Sequence, residues 1–172
     1  MAGRSPKKEK NVVIWKFVIT YVALMGLFLL LIGLEPVKKV LDINGIYTRM
    51  IVYLSALLLE PFRIVNSVQG SVISLKGLAL DVRFGCNGLE AFLIYTVAVL
   101  SFPAGKWKKL VGIGGGFVLL QFFNVLRIAG LALSGIYLRE YFHYIHIYAA
   151  QGMMIALALL FFLLWLNYAT ER

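Results

Sequence analysis

Long apolar runs, each bounded by proline, basic or other polar residues, constrain this chain more than any other feature. They lie at 14–34, 86–102, 110–133 and 146–168, and several reach the roughly 20 helical residues that cross a hydrocarbon core. Hydrophobic residues make up 61% of the chain and charged residues only 15%, which is more apolar surface than a water-soluble domain of this size needs. The sequence therefore predicts an all-α polytopic membrane protein.

The basic residues set the expected orientation. The formal charge is +9, but the lysines and arginines gather at the ends of apolar runs, which is typical of membrane orientation and not of nucleic-acid binding. Residues 1–13 are expected to form a basic cytoplasmic tail, followed by a single membrane domain over 14–172. Lys106, Lys108 and Lys109 lie in one short loop, which predicts that this loop is cytoplasmic and that the helix preceding it starts outside.

The segment 46–66 is expected to be helical, but its apolar core at about 50–59 is short. If this segment crossed the membrane fully, residue 86 would lie inside, whereas the lysine-rich loop places residue 86 outside. We therefore predict a partial or interfacial helix here, preceded by an outer loop at 35–45. In addition to this partial helix, we expect about four full transmembrane helices, with both termini inside.

A β-hairpin is predicted at 69–84, on the outer face. Two short β-prone runs, 71–75 and 78–83, are separated by Lys76-Gly77, a suitable two-residue turn. Farther along, Gly112 and Gly116 have the four-residue spacing that allows helices to approach closely, so we expect them to lie at a helix–helix contact.

Three polar residues are predicted to reach one membrane depth near the outer face. Cys86, the only cysteine, is either a packed thiol or a reactive one, since a single cysteine excludes an intramolecular disulfide. Arg127 lies about six residues before the outer end of its predicted span; a charge in an apolar helix usually has a partner or a function, with snorkelling to the headgroups as the alternative. His146 begins the last span, and His143 is the alternative histidine.

Four further residues are candidates for binding substrate because they neighbour these three. Asn124 lies three residues before Arg127 on the same helical face, where it could orient the guanidinium or the substrate. Glu90 lies one turn after Cys86 and is expected to pair with Arg127 or Arg83 or to be neutral, in a structural role more than a catalytic one. The other two are Asn87 and Gln151, the latter expected to be a buried amide.

The chemistry suggested by this set is acyl transfer. A cysteine thiolate is the nucleophile, a neighbouring histidine takes and returns the proton, and a fixed arginine stabilises the thiolate or the developing oxyanion. A metal site fits less well, because the sequence has no CxxC or HExxH spacing. We therefore predict neither a metal nor a cofactor.

Motifs in the same order resemble those of the exosortase/archaeosortase family. The block Gly-Cys-Asn-Gly-Leu-Glu around Cys86 resembles the family's Cys-(Ser/Asn)-Gly block, Asn-Val-Leu-Arg at 124–127 resembles its Asn-x-x-Arg block, and His146 resembles its third catalytic position. The resemblance covers about 65–165, and the short chain is similar to the compact exosortase H branch.

The resemblance implies a membrane-embedded cysteine transpeptidase or protease of the bacterial inner membrane. Such an enzyme cleaves C-terminal sorting signals of exported proteins at the outer, periplasmic face and transfers them to a surface acceptor. Cys86 is implied as nucleophile, Arg127 as stabiliser and His146 as acid/base, with sorting signals and membrane lipids as partners. The alternative is a non-enzymatic membrane protein, such as an assembly factor or small transporter subunit, in which Arg127 contacts a lipid or an ion.

Overall fold

The computed structural model describes residues 6–34, 43–83 and 86–171. These residues form five helices and one small antiparallel sheet. The helices are α1 (Pro6–Gly33), α2 (Ile43–Leu59), α3 (Leu89–Ser101), α4 (Lys106–Tyr137) and α5 (Phe142–Thr170), and the strands are β1 (Val65–Gln69), β2 (Val72–Leu75) and β3 (Leu78–Asp81). Most of the predicted outer loop, 35–42, and the last residue of the predicted hairpin, 84, lie outside the described residues.

Three of the described helices are long and apolar enough to cross a membrane. They are α1, over Ile14–Leu31, α4 and α5. By contrast, α3 has 13 residues and is therefore about 20 Å long, shorter than the usual span. The multi-pass membrane class is thus confirmed, whereas the predicted count of four full spans is not. The predicted basic tail is also helical from Pro6 onward, because α1 begins there.

The predicted hairpin is correct but incomplete. β2 and β3 pair in antiparallel register around Lys76-Gly77, and Gly77 has the positive φ of +79° that this turn requires. A further strand, β1, pairs with β2 and occupies part of the segment predicted to be helical. The helix ends at Leu59 because Glu60-Pro61 begins a short 3-10 turn, and proline cannot continue the backbone hydrogen bonds of an α-helix.

Asp81 accepts two side-chain hydrogen bonds at the ends of β2 and β3, on the exposed side of the sheet. Ser71 Oγ donates to its Oδ1 at 2.8 Å, and Arg83 Nε donates to its Oδ2 at 2.6 Å. The Arg83 hydrogen bond, followed by that of Ser71, lowers the pKa of Asp81 below its usual value, because both bonds favour the ionised carboxylate.

The helices pack around two apolar clusters, one beside the sheet and one between α3, α4 and α5 that extends to the other end of the bundle. We call one end the sheet end, comprising β1–β3, residue 86 and the start of α5. Its cluster includes Ile51 and Leu59 of α2, Ile73 and Leu80 of the sheet, and Ile128 and Ala132 of α4. We call the other the lysine end, comprising 102–109 and the last turns of α5. Its side of the bundle is packed by Tyr95 and Val99 of α3, Leu120 of α4, and Met154, Ala158 and Trp165 of α5.

Glycines on α4 allow close helix contact near the lysine end, as their spacing predicted. A Cβ at Gly112 would lie 2.2 Å from Trp165, and one at Gly116 would lie 2.1 Å from Tyr95. The aromatic groups are also hydrogen bonded, since Tyr95 Oη donates to the Gly112 carbonyl at 2.9 Å and Trp165 Nε1 donates to the Lys108 carbonyl at 2.8 Å. Aromatic side chains therefore fill the space that the glycines leave.

Two lysines close the ends of neighbouring helices. Lys108 Nζ donates to the carbonyls of Glu171 at 2.6 Å and Ala169 at 3.2 Å, just past and at the end of α5. Lys109 Nζ donates to the Leu100 carbonyl of α3 at 2.6 Å. A cation at a helix C-terminus is favourable because the last carbonyls carry partial negative charge, so these lysines stabilise the lysine end.

Candidate active site

Residues 86–88 form a short loop between the sheet and α3, and its conformation depends on a glycine. Gly88 is the N-cap of α3 and has a φ of +78°, a backbone conformation that glycine adopts without a steric penalty. A Cβ at this position would also lie 2.6 Å from the side chain of Asn124. The loop thus approaches α4 too closely for any larger residue at 88.

Two side chains of α4 hold the carbonyls of this loop. Arg127 Nη2 donates to the Cys86 carbonyl, and Asn124 Nδ2 donates to the Asn87 carbonyl at 2.7 Å. Asn124 and Arg127 are three residues apart and therefore lie on one helical face. Asn124 is fully buried and Arg127 is only 6% exposed, so α4 holds the loop from within the protein.

α2 contributes a contact that sequence reasoning missed. Asn87 Nδ2 donates to Thr48 Oγ1 at 3.1 Å, while Asn87 Oδ1 accepts from the Leu89 amide at 3.1 Å. Both Thr48 and Asn87 are buried. The sequence shows that Thr48 places a hydroxyl close to the apolar part of 46–66, but it does not show which residue this hydroxyl contacts. With this bond, α2 and α4 hold the same loop.

His146 is the histidine that reaches the thiol. Its Nε2 lies 3.9 Å from Cys86 Sγ, and its ring stacks on Phe142 with centroids 5.8 Å apart. His146 is half-buried, whereas His143 is exposed. The first turns of α5 include a π-helical stretch, Ile145–Ala150, a rare geometry that is often found at functional sites.

Polar atoms without a partner surround the loop. Among the described residues, Asn124 Oδ1, Arg127 Nε and His146 Nδ1 are buried and make no hydrogen bond. Native proteins leave few buried polar atoms unpaired. Three such atoms around one thiol indicate hydrogen-bonding capacity that the folded chain does not use by itself.

Two expectations about these residues were wrong in detail. Arg127 lies ten residues before the end of α4 at Tyr137, about 15 Å from it, because the helix continues beyond the predicted apolar run. Gln151, predicted to be buried, is exposed, because it lines an open cavity instead of packing against a neighbouring helix. Of the alternatives for Glu90, the ion pairs with Arg127 and Arg83 do not form within the described residues, where Glu90 is exposed and Arg83 pairs with Asp81; a neutral Glu90 stays a prediction.

A cavity of about 130 Å³ opens between α3, α4 and α5, beside the loop. Its polar lining comes from Gly88, Glu90, Arg127 and Gln151, and the rest is aliphatic or formed by methionine. The structure thus brings Glu90 and Gln151 to one cavity, as candidates for contacting a substrate, while Asn87 and Asn124 hold the loop. No three His, Cys, Asp or Glu side chains converge as a metal site in the described part of the chain.

A family comparison identifies the group of proteins to which this arrangement belongs. The model of the transmembrane exosortase family matches residues 12–165, which is most of the chain and includes Cys86, Arg127 and His146. The chain belongs to the transmembrane exosortase family. The match extends the resemblance seen in the motifs to α1 and α2, which carry none of them. Comparisons with curated proteins and with solved structures gave no match.

Proposed function

We propose that this chain is a membrane-embedded cysteine transpeptidase or protease that cleaves C-terminal sorting signals of exported proteins. The observation that carries the proposal is the 3.9 Å approach of His146 Nε2 to Cys86 Sγ, in a loop held by the buried Arg127. A nucleophile beside a base, with a fixed cation at the loop that carries the nucleophile, is an arrangement suited to acyl transfer. Membership in the exosortase family supports the same reaction class.

In this proposal His146 Nε2 accepts the proton of the Cys86 thiol, and the thiolate attacks the carbonyl carbon of the scissile peptide. The sulfur–carbon bond forms as the carbonyl oxygen becomes an oxyanion. Collapse of this intermediate breaks the carbon–nitrogen bond, and His146 returns the proton to the leaving amine. The products of this half-reaction are a thioester on Cys86 and the released C-terminal segment. Attack by water or by an acceptor amine then regenerates the thiol.

Arg127 is proposed to stabilise negative charge at this step. One of its terminal nitrogens is committed to the Cys86 carbonyl, while its Nε is buried, has no partner among the described residues, and belongs to a side chain that lines the cavity. A donor held in place before the reaction stabilises an oxyanion without reorganising. A guanidinium buried in this way is not presented to lipid headgroups, so the geometry favours the enzymatic reading over a lipid-contact role.

The proposed location is the bacterial inner membrane, with the active site at the outer face. Lys106, Lys108 and Lys109 gather at the lysine end, and positively charged loops are retained in the cytoplasm. The sheet end, with Cys86 and His146, then faces the periplasm, where exported proteins pass. We extend the proposal to the compact H branch of the family and to transfer of the cleaved protein to a surface acceptor.

The matched histidines provide the test. A protein of the same genome with a C-terminal apolar helix and basic tail would be co-expressed with the full chain, and its cleavage followed by mass. We expect Cys86→Ser to lower cleavage at least about 10³-fold and His146→Ala to lower it about 10²–10⁴-fold. His143→Ala should leave cleavage unchanged, because that ring is exposed and away from the thiol. Normal cleavage by both Cys86→Ser and Cys86→Ala would contradict the proposal.

A further inference from the structure

The cavity beside the loop 86–88, which carries Cys86, has the size of a side chain. It is about 130 Å³ in volume, somewhat less than the roughly 150 Å³ of an apolar cavity that admits benzene. It touches Gly88, two residues after Cys86, and the buried Arg127. A cavity at this place is within reach of a group attached to the reacting carbonyl.

One side of the cavity wall is apolar, and the two charged residues that also line it, Glu90 and Arg127, have opposite signs and so do not together favour a charged group of either sign. Ala91 and Ile94 of α3 face Met154 and Ile155 of α5 across it, and both Ala91 and Met154 are almost fully buried. Burial of a charged group among such side chains is costly because the charged group loses its hydration. Apolar walls with a few polar groups are also the usual composition of small binding pockets in proteins.

The polar lining indicates which part of a substrate enters. Arg127 provides the unpartnered Nε, and Gly88 lies at the N-terminus of α3, where backbone N–H groups and the helix dipole favour negative charge. When Arg127 Nε and the N-terminus of α3 stabilise the oxyanion, the Cα bonded to the attacked carbonyl lies next to the cavity. Its side chain is then the group closest to the apolar walls.

We propose that this cavity binds the side chain of the residue whose carbonyl Cys86 attacks, and that it accepts only a small, uncharged side chain there. This rests on the proposed function, because it assigns a specificity pocket to the same nucleophile. Met154 and Ile155 limit the depth and width of the pocket, and they determine specificity without taking part in the chemistry.

Peptide chloromethyl ketones test the pocket without knowledge of the natural substrate. The Cys86 thiolate displaces chloride from such a probe and forms a stable thioether, which mass spectrometry detects. The probes would differ only in the last residue, glycine, alanine, leucine or phenylalanine, and the full chain would be held in lipid nanodiscs. We expect the alanine probe to label the native chain about tenfold or more faster than the phenylalanine probe, the range over which pocket size discriminates.

Met154→Ala and Ile155→Ala should bring the alanine-to-phenylalanine ratio towards one by enlarging the pocket. Met153→Ala is the matched control, since Met153 precedes Met154 on α5 but does not line the cavity, and it should keep the native ratio. Ile155 is 57% exposed, so its substitution should not prevent folding. The ratio of the two labelling rates is measured within one variant and therefore does not depend on how much of that variant folds.

The outcomes separate the pocket from the proposed function. A native chain that labels without discrimination, or a ratio that neither Met154→Ala nor Ile155→Ala changes, would overturn the pocket and leave Cys86 as nucleophile. If no probe labelled Cys86 in the native chain, the nucleophile itself would be wrong, and the pocket with it. Cys86→Ser is the control that measures labelling at residues other than Cys86.

Discussion

The two ends of the bundle are held together by different kinds of contact. Near the lysine end, glycines on α4 admit Tyr95 and Trp165, both of these aromatic groups donate hydrogen bonds, and Lys108 satisfies carbonyls at the end of α5. At the sheet end, hydrogen bonds hold the loop of Cys86, yet three buried polar atoms around it have no partner among the described residues.

This difference reflects what each end has to do. The lysine end only has to keep its shape, so close packing around hydrogen-bonded aromatic groups is favourable there. In the proposed function, the sheet end places a thiol, a base and a cation around a ligand, the substrate. Atoms that await such a ligand are left unpaired in its absence, and a site of this kind depends on rigid support from the elements behind it.

Overpacking the lysine side should have the largest effect on stability. Gly116→Val places atoms where Tyr95 lies, since even a Cβ would be 2.1 Å from its ring, and we expect a loss of about 3 kcal/mol in the free energy of unfolding. Gly115→Val is the control, because no atom lies within 4 Å of a Cβ there. Thermal unfolding in detergent would measure both. Equal melting temperatures would mean that the glycine–aromatic contact does not hold this end.

Removal of a hydroxyl at the sheet end should have an intermediate effect on stability and a clear effect on reactivity. Thr48→Val leaves Asn87 Nδ2 buried without its acceptor, which costs about 1–2 kcal/mol and loosens the loop of Cys86. We expect the alkylation of Cys86 by an alanine chloromethyl ketone to slow several-fold. Thr48→Ser keeps the acceptor and should restore most of the rate; failure of serine to do so would assign the effect to packing.

Removal of a lysine cap should have the smallest effect. Lys108→Met takes away the cation at the last carbonyls of α5, a contact worth about 0.3–1 kcal/mol. Hydrogen exchange in the last turn of α5 should become faster, while the reactivity of Cys86 stays unchanged. Lys106→Met is the control, because Lys106 is exposed and its side chain makes no hydrogen bond within the described residues. Equal exchange in the two variants would show that Lys108 does not act as a cap.

Local features of the sequence predicted the parts of the fold that local physics decides. The apolar runs predicted a multi-pass helical protein, because several of them have the roughly 20 residues that a helix needs to cross a membrane and the chain is too short to bury them all in a soluble core. The Lys76-Gly77 turn predicted the β2–β3 pairing, because the turn itself determines the register. The neighbourhood of Cys86, Arg127 and His146 followed from their similar predicted depth and from the family motifs, and the structure brings them together.

Only the tertiary structure decided which groups meet across elements. That Thr48 holds Asn87, that Gln151 is exposed, and that a cavity opens beside Gly88 all depend on how α2, α3, α4 and α5 pack, which no single element encodes. β1 was missed for the same reason, since its few apolar residues become a strand by pairing with β2. The sequence determines which residues are apolar or reactive, whereas the packing of the elements determines which of these residues contact each other.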